Sequence, residues 1–198
     1  DWPERIKTMQ RNWVGRSEGA DVSFALDHPG VAEKEIRVFT TRPDTLFGVT
    51  FMVLAPEHPL VEKITTPHRK ATVRKYIEKA RHKTDIERLS TEKEKDGVFT
   101  GAYVTNQVNN EKVPVYIADY VLASYGTGAV MAVPAHDERD FAFAKKYKLP
   151  IKVVIAPPKW RSRALKEAYT GPGPMVHSGK LFNGLPGQEG IGAVADYL

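Results

Sequence analysis

A compact mixed α/β domain is what this sequence predicts, on three observations. Strand-like and helix-like hydrophobic patterns alternate along the chain, with hairpin signals between them. At 198 residues and 41% apolar, the chain can bury one core without disulfide or metal staples. It contains no internal repeat and no low-complexity tract, which argues against a solenoid. Residues 1–198 therefore read as one domain.

The elements follow in order. Pro3 at a helix start, Ile6, Met9 and Trp13 at helical spacing, and Gly15 as a stop predict a short amphipathic helix. Residues 1–16 read as a hinge-like approach to the domain. Val22, Phe24 and Leu26 alternate as a strand, His28-Pro29-Gly30 turns the chain, and residues 35–40 form a second strand. That strand runs into TTRPDTLFG, residues 40–48, which crowds three threonines, an arginine and an aspartate where a simple turn would suffice. Residues 49–55 are mostly apolar and predict a buried strand; residues 59–64 predict a helical turn or two. Val73, Tyr76, Ile77 and Ala80, at i, i+3, i+4 and i+7, predict a charged surface helix with one buried stripe.

Residues 90–96 are polar and read as a loop, after which residues 102–105 and 113–117 predict a hairpin around Asn109-Asn110. Gly126-Thr127-Gly128 opens an apolar strand that Pro134 ends. Phe141, Ala144 and Tyr147 then announce a helix with Asp137 at its start. Residues 151–155 are a further buried-strand candidate. Residues 156–187 are rich in proline and glycine and give too little periodicity to assign. Residues 188–198 predict a helix with Ile191, Val194 and Leu198 inward, despite Gly190 and Gly192.

Composition excludes several chemistries. With no cysteine there are no disulfides, no zinc-thiolate sites and no thiol nucleophile. The six histidines, at 28, 58, 68, 82, 136 and 177, show no paired ligand spacing, so no metal is expected. No nucleophile elbow, phosphate-cradling loop or dinucleotide fingerprint occurs. The longest apolar runs fall far short of the roughly 20 residues that span a bilayer. A formal charge of +5 fits a polyanionic partner and fits a merely well-solvated surface equally. The chain opens on Asp1-Trp2-Pro3 and reads as a piece of a longer protein.

What remains is the threonine loop and the helix start carrying Asp137 and Asp140. Each has two readings. TTRPDT is a turn in which Pro43 fixes the backbone and Asp44 or a threonine caps a helical turn, or it is a site. Asp137 and Asp140 are a cap and a third-position carboxylate, or one of them is a carboxylate that holds a substrate cation. His136 fits a hydrogen-bonded boundary residue more readily than a base, and Met131 and Val133 read most simply as core, with the wall of an apolar pocket as the functional reading.

TTRPDTLFGVTFMVLAPEHPLV, with GTGAVMAVPAHDERDFAFAKKYKLPI, resembles the editing insertion of bacterial-type leucyl-tRNA synthetases, the connective polypeptide domain of a class I catalytic core. The Pro-Asp-Thr-Leu-Phe-Gly continuation looks like the leucyl version rather than the related valyl and isoleucyl loops. Similarity runs through TGAYVTNQVNNEKVPVYIADYVLASYGTG and covers nearly the whole chain. It departs at Asn106-Gln107-Val108-Asn109-Asn110, where the family commonly shows a proline and then a glycine. The nucleotide-binding signatures of the synthetic site are absent.

The resemblance implies a barrel-like core of strands with surrounding helices. It implies hydrolysis of the ester of mischarged tRNA(Leu), of the norvaline, isoleucine or methionine type, with leucine rejected. Neither metal nor cofactor is implied; ATP and magnesium belong to the missing synthetic site. The implied partners are the tRNA(Leu) 3′ acceptor end with its terminal adenosine and the remainder of the synthetase in cis. A monomer in the cytoplasm, without a membrane, completes the expectation. By position, Thr40 and Thr41 would surround the ester and the attacking water, Asp140 would bind the α-ammonium, and Thr45 would exclude leucine. Arg42 with Asp44 would fix the loop. Met131, Val133 and His136 would line the amino-acid side, Leu122 and Tyr125 the adenosine side, with Asp137 and Arg139 in support. A valyl- or isoleucyl-type editing domain and a non-catalytic tRNA acceptor-end binding module are the alternatives.

Overall fold

In a computed structural model, residues 2–14, 17–84, 87–88, 95–124 and 126–198 are described. Six strands form one sheet: β1 (Ala20–Leu26), β2 (Glu35–Thr40), β3 (Phe51–Leu54), β4 (Gly97–Asn106), β5 (Glu111–Ala118) and β6 (Ala129–Ala132). Their order is β2-β1-β4-β5-β3-β6. Every pairing is antiparallel except β3 with β5. The terminal strands β2 and β6 come back against each other, and the Thr127 hydroxyl donates to Arg37 O across the seam at 2.6 Å. The sheet is thus a nearly closed barrel, which leaves few unpaired edges.

Five helices accompany it among the described residues: α1 (Glu4–Val14), α2 (Leu60–Ile64), α3 (Lys70–Arg81), α4 (Glu138–Tyr147) and α5 (Gly187–Tyr197). Period-two strands put Val22, Phe24, Ile36, Val38, Val104 and Val115 into the main core. The stripe on α3, Val73, Tyr76, Ile77 and Ala80, packs onto the same core. β3 is apolar at every position because both its faces are covered. Met52 and Leu54 join the main core, while Phe51 and Val53 lie under α4. Phe51 stacks on Phe143 of α4 with ring centroids 5.0 Å apart. Each such buried side chain contributes roughly 1.5–3 kcal/mol, so α4 is held firmly at the sheet's outer face.

The β4–β5 hairpin turns at residues 107–110, with Asn110 at φ 56 and its N–H donating to Asn106 O at 2.8 Å. Gly101, at φ +89, sits in a bulge where a methyl group would collide with the Thr66 side chain.

Two sequence expectations are corrected. Residues 151–155 form no strand: Ile155 makes one isolated bridge to Met175, and the backbone N–H groups of Val154 and Ile155 both donate to His136 Nε2. The run is apolar because Val154 and Ile155 pack with Phe47, Met175, Phe182 and Val194 in a third cluster. In α5, Val194 is buried, whereas Leu198, expected inward, is 48% exposed. Gly190 lets α5 approach closely, since a methyl there would strike Met175 Sδ. The side chain of Trp13, Gly15 and most of the expected loop, residues 90–94, lie outside the described residues.

Candidate active site at the barrel seam

Where β2 and β6 nearly meet, a cavity of about 460 Å³ opens. The threonine loop makes one wall. β2 ends at Thr40, and Pro43 starts a 3-10 turn, Pro43–Gly48. No side chain caps that turn, contrary to the capping reading of Asp44. The hydroxyls brace the loop instead: Arg42 N donates to Thr40 Oγ1 at 3.0 Å, and Thr45 Oγ1 donates to Arg42 O at 2.8 Å. Thr45 is thereby locked in one rotamer where it meets the cavity. Thr41 is exposed on the same lining.

Asp44 does not line the cavity. It is fully buried, and both its oxygens accept from Arg42, from Nε and Nη2 at 2.9 Å each. This bidentate pair fixes the guanidinium at the cavity wall. α5 backs it: a Cβ placed on Gly187 would stand 3.6 Å from Asp44 Oδ2, ordinary contact distance, so the start of the helix packs directly beside the carboxylate.

The start of α4 makes the opposite wall and separates its two aspartates. Asp137 is the N-cap, accepting from Arg139 N at 2.8 Å and Asp140 N at 3.1 Å. Burial opposes its ionisation, but the Arg139 side chain and those N–H groups outweigh burial and hold its carboxyl below the usual range. Asp140 is different. It is 4% exposed, its Oδ2 accepts from Val133 N at 2.8 Å, and its Oδ1 accepts from the Tyr120 hydroxyl at 3.1 Å. Burial first, and the Asp137 charge second, push Asp140 up to about 7, against the Val133 N–H, the Arg139 charge and the Tyr120 hydroxyl. Arg139 forms its ion pair with Asp137, at 3.0 Å. The cavity therefore holds a buried carboxyl poised between charge states.

His136 lines the cavity with both ring nitrogens committed. Nε2 accepts from Val154 N and Ile155 N at 3.0 Å each, which makes Nδ1 the donor to Tyr169 O at 2.8 Å. Burial lowers its pKa, so the imidazole is neutral and acts as a structural bracket rather than a base.

Thr40, Thr41, Arg42, Thr45, Leu122, Met131, Val133, His136, Asp137, Arg139 and Asp140 all line this one cavity, although they come from segments nearly 100 residues apart. Tyr125 lies outside the described residues. Sequence reasoning missed Phe39, Tyr120, Val121 and Val130, which also line it. In a strand-end apolar run each reads as core; Phe39, paired opposite Asp21 at the end of β2, carried the one usable signal, its place directly before the threonines. Among the described residues no group of His, Asp or Glu is arranged to hold a metal ion.

The seam sets a threonine-rich strand end against a buried helix-start carboxyl, and by sequence the chain falls in the class of editing domains of the aminoacyl-tRNA synthetases. Within it, the family described as "Leucyl-tRNA synthetase, editing domain" matches residues 11–198, and the chain belongs to that family. A leucine–tRNA ligase of Dehalococcoides mccartyi strain 195 is 70% identical over 198 residues, covering 100% of this chain and 24% of the relative. One from Rubrobacter xylanophilus is 57% identical over the same span and share. Among solved structures, the ternary complex of Agrobacterium radiobacter K84 agnB2 LeuRS, tRNA and LeuAMS aligns with a TM-score of 0.65 and 43% identity, covering 77% of this chain and 18% of that one. The chain thus spans about a quarter of the length of these curated relatives.

Proposed function

We propose that this domain hydrolyses the ester joining a wrong amino acid to tRNA(Leu) and spares the leucyl ester. The observation that carries this reading is the pairing of the fixed threonine wall with Asp140, whose neighbouring arginine is bound to Asp137 instead. A free α-amino group marks an aminoacyl ester, and its ammonium is the cation that a buried carboxyl of this kind accepts. Contact with that charge restores Asp140 to its ionised form, so binding of the ammonium and ionisation reinforce each other.

Thr40 and Thr41 orient the ester carbonyl and the attacking water, and Arg42 is held beside them by Asp44. A ribose hydroxyl of the terminal adenosine assists the water, consistent with a neutral His136 whose nitrogens are already used. Leu122 and the segment at Tyr125 receive the adenosine. Met131 and Val133 face the amino-acid side chain, and Thr45 forms the rigid stop that leucine's branched end meets. Such a second site is needed because one methylene in an apolar pocket discriminates by only about 1–3 kcal/mol.

The chemistry invokes no metal and no cofactor. Its partners are the tRNA acceptor end and the remainder of a synthetase in cis, where ATP and magnesium serve amino-acid activation, and the assembly is a cytoplasmic monomer. No helix among the described residues is long and apolar enough to cross a membrane. Deacylation of norvalyl-tRNA(Leu) and leucyl-tRNA(Leu), run side by side with the full-length protein carrying this domain, tests the reading. Rapid loss of norvaline with leucine retained is expected. Equal rates with an intact fold contradict the sieve, and no hydrolysis of either ester favours a non-catalytic acceptor-end module.

A further inference from the structure

Tyr120 belongs to neither the threonine loop nor the helix start, yet its hydroxyl reaches the carboxyl on which the proposed function turns. It follows β5 and is buried, with its ring edge-on to Phe143 of α4 at 6.0 Å. The hydroxyl donates to Asp140 Oδ1 at 3.1 Å, and Val133 N donates to Oδ2 at 2.8 Å. One donor on each oxygen, from two different segments, stops the carboxyl from rotating about its axis without losing a bond. Each oxygen still has a lone pair for a substrate.

The tyrosine is itself held. Arg88 Nε donates to Asp119 O at 2.7 Å and Nη2 donates to Val121 O at 2.8 Å, the carbonyls on either side of residue 120. Glu57 completes the fork, accepting from Nη1 at 2.9 Å and Nη2 at 3.2 Å. A buried guanidinium so fully engaged makes the 119–121 segment a rigid platform.

We propose that Tyr120 is a positioning residue: its hydroxyl, on a platform clamped by Arg88, holds the Asp140 carboxyl in the orientation that receives the substrate's α-ammonium. This rests on the role given to Asp140 above. The groups acting on Asp140 are Asp137, which opposes its ionisation, and Arg139, the Val133 N–H and the Tyr120 hydroxyl, which favour it. Burial and the adjacent Asp140 charge raise Tyr120's own pKa, so it stays a neutral donor. Deleting the hydroxyl removes a donor to the ionised carboxyl and makes that form harder to reach.

Tyr120→Phe keeps the ring against Phe143 and removes only the hydroxyl. The test is the pH profile of kcat/KM for deacylation of norvalyl-tRNA(Leu) by the full-length protein, for wild type, Tyr120→Phe and Asp140→Asn. The acid limb should move up by about one pH unit in Tyr120→Phe, a loss of about tenfold below the limb carried by KM, with kcat near wild type. Asp140→Asn should lose the limb and most of the activity. If Asp140→Asn loses them while Tyr120→Phe superimposes on wild type, the positioning role is refuted and the Asp140 reading stands. A uniform fall across pH in Tyr120→Phe, with no movement of the limb, also refutes it, because a packing role alone produces that. A wild-type profile in Asp140→Asn overturns the Asp140 reading and this inference with it.

Discussion

Replacing Asp140 by asparagine should stabilise the empty domain, and the gain should depend on pH in a specified way. The site contacts survive the change: the amide oxygen accepts from Val133 N, and the amide nitrogen donates to a reoriented Tyr120 hydroxyl. The variant thus mimics the protonated carboxyl. In the wild type the folded-state pKa is raised from 3.8 to about 7, so the neutral form is the one that folding favours. Stability from this group is therefore fully present below the unfolded value and lost as pH rises through the folded one. At about 1.36 kcal/mol per pKa unit, the loss approaches roughly 4 kcal/mol, an order-of-magnitude figure for so buried a group. Urea unfolding of both chains from about pH 4 to about pH 8 reads the difference. Asp96, a carboxyl that burial pushes up but Lys79 and Tyr76 hold low in the fold, contributes the opposite slope in both proteins and cancels in the comparison. The gap should open above about pH 4 and level off above about pH 7. Two stability curves that run parallel over the range would mean that Asp140 ionises freely in the empty site, and the reasoning would fail.

Thr45→Ala in the full-length protein should release the stop and hydrolyse leucyl-tRNA(Leu) while keeping activity on norvaline, whereas Thr45→Tyr should block both; deacylation of the two charged tRNAs decides, and an alanine variant that spares leucine removes the sieve role. Arg88→Ala leaves Glu57 without its partner and two carbonyls without donors, so it should cost about 3–5 kcal/mol in chemical denaturation, and a loss within ~0.5 kcal/mol would count against the clamp.

The barrel strands were legible because period-two burial is written into β1 and β2, with Val22, Phe24 and Leu26 alternating against polar neighbours. β3 was legible for the opposite reason, an unbroken apolar run covered on both faces. The same signal misled at residues 151–155, where burial comes from the third core cluster and the backbone donors go to one histidine ring. Periodicity cannot tell a buried strand from a buried irregular run of that length. At the site, the loop and the helix start stood out as motifs, yet periodicity alone did not say how the two aspartates that line the cavity divide their roles. Capping geometry resolves that, sending Asp137 to the backbone and Asp140 to Val133 and Tyr120. Tyr120 itself was hidden because a tyrosine among Ala118, Val121 and Leu122 looks like core, and its hydrogen bond crosses 20 residues.

Single-turnover deacylation of norvalyl-tRNA(Leu) by wild type and by Asp140→Ala, each checked for a cooperative unfolding transition, bears most directly on a hydrolytic site at the barrel seam. Truncation leaves Val133 N and the Tyr120 hydroxyl without an acceptor, at a cost of about 1–3 kcal/mol each that a folded domain can absorb now that a buried carboxyl is gone. The folded variant should lose at least about 100-fold in rate, because the ammonium no longer anchors the ester against the threonine wall. A folded Asp140→Ala protein that hydrolyses norvalyl-tRNA(Leu) at the wild-type rate would contradict the assignment of the seam cavity as the hydrolytic site.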